Sequence, residues 1–172
     1  MTGPERLDLL VRGSYLKPTS HLRAAFVASI NHLQNDPPQW DNDIHGFRRR
    51  FADRSARFLV RDTIEAGWAG AIGHEVRYIP CNCEGAGRRL WHVFAGGFRT
   101  YNRAGEWRPH YSRFGSVFAA EYIRYTWRPH GDRDASEVAT GALVQLGVGA
   151  TGRLIREFSP ELKRVWRKAR GK

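Results

Sequence analysis

The sequence has few cysteines, and this scarcity excludes two classes of protein. Cys81 and Cys83 are the only two, with a single residue between them. That spacing is too tight for an ordinary disulfide and cannot build a disulfide framework. It also differs from zinc sites, in which paired cysteines are separated by about two to four residues. With His74 and His92 as the nearest histidines, we therefore predict no metal.

Specific catalytic motifs are absent as well. The sequence has no G-x-S-x-G elbow and no H-E-x-x-H pair. His74 beside Glu75 is the one local combination suited to acid–base chemistry. Together with Arg77 and Tyr78, it forms a loop motif that supports only the weakest hypothesis, an enzyme of unknown reaction. We expect no catalytic residue, no cofactor and no small-molecule substrate.

The N-terminus also lacks a secretory signal. Residues 1–12 contain no apolar run of the kind that a signal peptide needs. This predicts a cytoplasmic protein, or one whose leader was removed.

The longest stretch without charge is 138–152, and it is open to several interpretations. From Gly147 to Gly152 it has the spacing G-x-G-x-x-G, but a dinucleotide site needs a further strand and an acidic residue about 20 positions on. A P-loop needs Lys and Ser or Thr where Arg153 and Leu154 stand. As a helix the stretch covers only about 22 Å of a hydrocarbon core of about 30 Å, and Gln145 lowers its hydropathy. We favour a core helix that uses glycine for close packing, with partial membrane embedding as the alternative.

Basic residues are abundant and almost all are arginine. The chain has 24 Arg and 4 Lys, and its formal net charge is +11, which favours acidic partners. Four arginines fall on one line of a predicted helix: Arg50, Arg54, Arg57 and Arg61. The line is either a solvated face or an anion-binding ridge, and the second interpretation makes a nucleic-acid-binding module the alternative function.

The C-terminus, 159–172, predicts a basic amphipathic helix. Six Lys and Arg stand against Glu161, while Leu162, Val165 and Trp166 share one face. Such a helix suits an anionic membrane surface, unless its apolar face packs on the protein's own core. The predicted contact residues are Lys163, Arg164, Trp166, Arg167, Lys168 and Arg170.

Apolar periodicity predicts an all-α fold: a single domain, 1–172, of about five to six helices. Helices are expected at 20–34, 47–73, 88–99, 135–158 and from Ser159, after a capping-box start at Thr2. A repeated Trp-Arg-Pro-His, at Trp107 and Trp127, is expected to mark the two ends of another helix. Small-residue faces that include Gly67, Gly70, Gly141 and Gly149 should pack against a helix of this chain or of a second copy.

Several short motifs resemble a family of small, uncharacterised, Gly-rich helical bacterial proteins of the envelope type. They are Glu5-Arg6-Leu7, Pro37 to Trp40, Arg61 to Gly67, His74 to Tyr78, Trp127 to Pro129 and Glu157 to Glu161. The resemblance covers nearly the whole chain and implies an envelope location without an assigned activity. The leading hypothesis is therefore a non-enzymatic cationic protein of the cell envelope or of an anionic membrane surface. Self-association through the glycine faces remains open.

Overall fold

Helices form most of the computed structural model, which describes residues 1–81, 83–129 and 135–171. Within those ranges there are seven α-helices: α1 (Gly3–Leu10), α2 (Pro18–Leu33), α3 (Ile44–Ile72), α4 (Ala86–Ala95), α5 (Tyr111–Tyr125), α6 (Ala135–Glu157) and α7 (Ser159–Ala169). A π-helical turn, Val11–Tyr15, continues α1. A short antiparallel hairpin, β1 (Arg99–Tyr101) and β2 (Trp107–Pro109), connects α4 to α5. The predicted all-α fold is confirmed.

The ends of the helices follow local signals. At the start of α1, the Thr2 hydroxyl accepts a hydrogen bond from the Glu5 N–H, and the Glu5 carboxylate accepts one from the Thr2 N–H, as the capping box predicted. Asp43 begins α3 by accepting from the Gly46 N–H at 2.8 Å. The helix ends at Gly73, whose φ of 73° suits glycine. Its 29 residues give α3 a length of about 43 Å.

The long helix α3 is the centre of the assembly. It packs against α1, α2 and α5, while α6 packs against α5 and α4. Alanines fill the helix contacts: Ala28, Ala69, Ala120 and Ala142 are fully buried. A Cβ on Gly115 of α5 would overlap the ring of Trp68 in α3. Small side chains therefore let the helices approach closely.

The four predicted glycine contacts divide evenly. Gly70 lies against an arginine of α1, and a Cβ on Gly141 would come within 2.9 Å of the carboxyl group of Glu121 in α5. Gly67 has open space beside it, and Gly149 meets only a side chain of its own helix. The prediction is thus confirmed for Gly70 and Gly141. Within this chain it is wrong for Gly67 and Gly149. Contact with a second copy stays a prediction.

The hairpin differs from the sequence prediction. A single helix was expected over 88–99, but α4 ends at Ala95 before Gly96 and Gly97, and β1 begins at Arg99. The Tyr101 and Trp107 rings, 5.8 Å apart, stabilise the paired strands. The first Trp-Arg-Pro-His copy includes β2, and Trp127 to Pro129 of the second follow α5, so the repeat does bracket a helix. The last residue of the second copy, His130, lies outside the described residues.

Candidate functional site

The row of arginines on α3 is directed into the protein, not toward solvent. Arg50 is 1% exposed and donates hydrogen bonds to four backbone carbonyls of the α2–α3 loop at 2.7–3.0 Å. Arg57 forms an ion pair with Glu121 at 2.9 Å, and Arg61 donates to the Gln145 side chain at 2.9 Å. The predicted surface ridge is therefore corrected: the helix spacing was right, but the line faces α2, α5 and α6.

A network of buried charges connects α3, α5 and α6. Asp53 accepts two hydrogen bonds from the Arg124 guanidinium, the shorter at 2.7 Å, and one from the Trp127 indole at 3.0 Å. Glu121 accepts from the Gln145 amide at 2.7 Å. Both carboxylates are almost completely buried, at 4% and 3% exposure. Buried ion pairs overcome the cost of leaving water only when their remaining bonds are satisfied, and these carboxylates have several donors each.

Gln145 attaches α6 to the other two helices of this network. Its amide donates to Glu121 while its carbonyl oxygen accepts from Arg61. The sequence analysis considered only that Gln145 lowers the hydropathy of its stretch. Its position as the lone amide in an apolar helix could have predicted a contact, because such residues form interhelical hydrogen bonds.

The outer surface is rich in large apolar side chains. No Leu, Ile or Phe within the described residues is buried. Among the side chains that the structure describes, six of the nine buried apolar residues are alanine, while eighteen polar or charged residues are buried. The accessible surface is 10,908 Å², compared with about 8,600 Å² expected for a soluble monomer of this mass. Many large apolar side chains are thus left exposed, from Val27 at 37% to Leu33 at 83%.

The charge-free stretch in α6 belongs to this outer surface. A 20-residue apolar segment, Val138–Glu157, is long and apolar enough to cross a membrane, yet only 17% of its best window is buried. Arg153, the charge that ended the stretch in the sequence, points inward and donates to the Val93 carbonyl at 3.1 Å. Beyond it, Leu154 and Ile155 are exposed. The interpretation of this stretch as a buried core helix is therefore wrong.

The terminal helix α7 has an uncovered apolar face. Leu162, Val165 and Trp166 are 53%, 65% and 57% exposed. The predicted cationic contact residues are also exposed: Lys163, Arg164, Arg167, Lys168 and Arg170. The alternative in which the apolar face packs on the protein's own core is wrong.

The His74–Glu75 motif follows α3 and is buried, not open. His74 is 6% and Glu75 is 8% exposed, and burial lowers the pKa of His74. Burial alone would raise the pKa of Glu75, but hydrogen bonds from Arg77 hold it below its ordinary value. The Glu75 carboxylate also pairs with the Met1 ammonium at 3.3 Å. Burial raises the pKa of Tyr78, helped by a hydrogen bond to a carboxylate of α6.

A small cavity lies next to this motif. It has a volume of about 20 Å³, enough for one water molecule. His110 lines it and begins α5, where its Nδ1 accepts from the Arg113 N–H and lies 3.3 Å from the Ser112 hydroxyl. His110 and Ser112 are 2% and 0% exposed. The His110 side chain therefore caps α5, and both side chains are buried. Burial, followed by the charge of Arg113, lowers the pKa of His110 to about 3.

Glu157, at the end of α6, joins three segments. It accepts hydrogen bonds from the Tyr78 hydroxyl at 2.8 Å, the Cys81 N–H at 3.0 Å and the Arg89 guanidinium at 3.1 Å. The Cα atoms of Cys81 and Cys83 are 5.1 Å apart, within the range that a disulfide allows, so their spacing does not by itself exclude one. The described part of the chain contains no group of three or more potential metal ligands.

No known family, characterised protein or solved structure is detectably similar to this chain. The resemblance based on short motifs therefore stays a prediction.

Proposed function

We propose that this protein associates with an anionic membrane of the cell envelope as a non-enzymatic helical protein. In this arrangement α6 lies in the hydrocarbon and α7 lies along the headgroups.

The observation that carries the proposal is the distribution of side chains, which is the reverse of that in a typical water-soluble protein. Large apolar residues face outward while the charged residues of α3 and α5 face one another inside. In water such a surface would be unfavourable, because each Å² of apolar area contributes about 25 cal/mol when it is removed from water. In a bilayer the same surface contacts lipid, and the charges are satisfied within the protein.

Two helices have the length and the surface that this arrangement requires. The 20 residues Val138–Glu157 correspond to about 30 Å of helix, the thickness of a hydrocarbon core. The helix α7 begins two residues later and carries exposed Val165 and Trp166 beside its lysines and arginines. A basic amphipathic helix of this kind binds at the membrane interface.

Flotation with liposomes tests the proposal. The protein should float at low salt with vesicles that contain phosphatidylglycerol, and a fraction should resist washing with alkaline carbonate. If it stays soluble with both anionic and zwitterionic vesicles, the proposal is overturned.

The nucleic-acid hypothesis has less support because its arginine ridge is internal. The exposed basic residues of α7 could still contact a phosphate backbone. A DNA or RNA shift assay at ~50 and ~200 mM salt tests it, since phosphate contacts make binding fall steeply with salt.

A further inference from the structure

The charges around the first half of α3 do not cancel among the residues that the structure describes. Most guanidiniums there have a carboxylate partner: Arg57 has Glu121, Arg124 has Asp53, and Arg128 lies 3.6 Å from Asp36. Among the described residues, six guanidiniums face four carboxylates: Arg50, Arg54, Arg57, Arg61, Arg124 and Arg128 against Asp36, Asp53, Asp62 and Glu121.

One of the two surplus cations is already satisfied. Arg50 spreads its charge over the carbonyl groups of the α2–α3 loop. Backbone carbonyls carry partial negative charge and saturate the donors of a guanidinium, so Arg50 needs no further ligand.

Arg54 is the other surplus cation, and it has no partner among the described residues. Its side chain is half-buried, and it makes no hydrogen bond or ion pair within the described residues. Its Nε is buried without an acceptor. Arg124 and Arg128 repel it. Asp53 and Asp36 attract it, but Asp53 is bound to Arg124 and Asp36 lies beside Arg128. An unmatched guanidinium that is partly removed from water is unfavourable.

We propose that Arg54 binds the phosphate group of an anionic phospholipid. The planar guanidinium matches two phosphate oxygens at once, and a phosphate supplies a negative charge that the described residues do not place against Arg54. The inference rests on the proposed membrane association and names the lipid class that would accompany it.

The experiment compares thermal unfolding of lipid-stripped protein in a non-ionic detergent with and without added phosphatidylglycerol. The lipid should raise Tm in a saturable manner, and phosphatidylcholine should not. In Arg54→Gln, the apparent affinity for phosphatidylglycerol should fall by about tenfold or more, the usual effect of losing a charge-assisted hydrogen bond. Arg49→Gln, at an exposed position of the same helix, should behave as the wild type.

The change in Tm of the lipid-free protein provides a second readout. Arg54→Gln should leave Tm unchanged or higher, because it removes an unmatched charge, whereas loss of an internal ion pair would lower it. A lower Tm, or an equal response of both proteins to phosphatidylglycerol, overturns the proposal. An equal, Arg54-dependent response to inorganic phosphate supports the phosphate chemistry but assigns the site to free phosphate.

Flotation of Arg54→Gln separates this inference from the proposed function. The variant should still float with anionic vesicles, because α6 and α7 are unchanged. Failure of the wild type to float would instead overturn the membrane association itself.

Discussion

At the scale of single residues, two buried carboxylates organise the interior. Asp53 binds Arg124 and Trp127, and Glu121 binds Arg57 and Gln145. Each carboxylate is nearly inaccessible to solvent, so its donors replace the water it lost on folding. Removing one donor leaves a buried acceptor unsatisfied, which costs more than the bond itself contributes.

Replacement of Gln145 by leucine tests this cost. Gln145→Leu makes α6 more apolar but removes the bonds to Glu121 and Arg61. We expect a loss of stability of about 1–3 kcal/mol, measured as a lower Tm in detergent. Thr140→Leu, at an exposed position of the same helix, is the control and should change little. A higher Tm for Gln145→Leu would contradict the assigned role of the network.

His110 should make stability depend on pH. Burial holds its pKa near 3 in the folded protein, below the value of about 6.5 in an unfolded chain. Because the unfolded state takes up the proton first, the stability present above pH 6.5 should be lost as pH falls toward 3. The slope should be about 1.4 kcal/mol per pH unit.

The measurement is Tm between pH 7.5 and 5 for the wild type and His110→Asn. Asparagine keeps an oxygen that can cap α5 but does not titrate, so the variant should lose less stability on acidification. His45→Gln, at an exposed position, should follow the wild type. Parallel curves for all three proteins would contradict the assignment to His110.

At the scale of helices, glycine positions decide how close two backbones come. Gly115 lies under the Trp68 ring, and Gly141 lies under the Glu121 carboxyl group, while Gly67 has open space beside it. These environments differ although all three glycines lie in helices.

Alanine substitutions at these glycines should therefore have opposite effects. Gly115→Ala and Gly141→Ala introduce a methyl group into a contact and should destabilise by about 1–3 kcal/mol. Gly67→Ala should stabilise by up to about 1 kcal/mol through helix propensity. Thermal unfolding of the three variants provides the comparison. A rise in Tm for Gly115→Ala would show that the Trp68 contact is not tight.

Local signals predicted most helices but not their orientation. The capping box at Thr2 and the spacing from Arg50 to Arg61 are properties of neighbouring residues, so both were visible in the sequence. Which way that row faces depends on Glu121 and Gln145, which lie 60 or more positions away. The sequence showed neither contact, and therefore the row was assigned to the surface. The hairpin was missed because β1 and β2 have only three residues each.

At the scale of the whole molecule, the apolar surface indicates the environment of the protein more clearly than any single site does. The apolar exterior includes α2, α5 and α6, and α6 exposes no charge between 138 and 155. Two environments could cover such a surface, a bilayer or a second copy. The basic face of α7, next to the end of α6, favours the bilayer because anionic lipids supply the complementary charge.

Lysine substitutions on the outer face of α6 distinguish a bilayer from water. Val144 and Val148 share one face near the middle of the apolar segment and are 56% and 49% exposed. On a water-facing surface, Val144→Lys with Val148→Lys should change stability within about 0.5 kcal/mol for each site. In hydrocarbon each lysine should cost about 2.5–3.5 kcal/mol. We therefore expect the double variant to be depleted from the carbonate-washed membrane fraction, while the wild type and Ile79→Lys, a loop position 45% exposed, are retained. Equal retention of the double variant would mean that this face of α6 does not contact lipid, and the proposed membrane association would lose its main support.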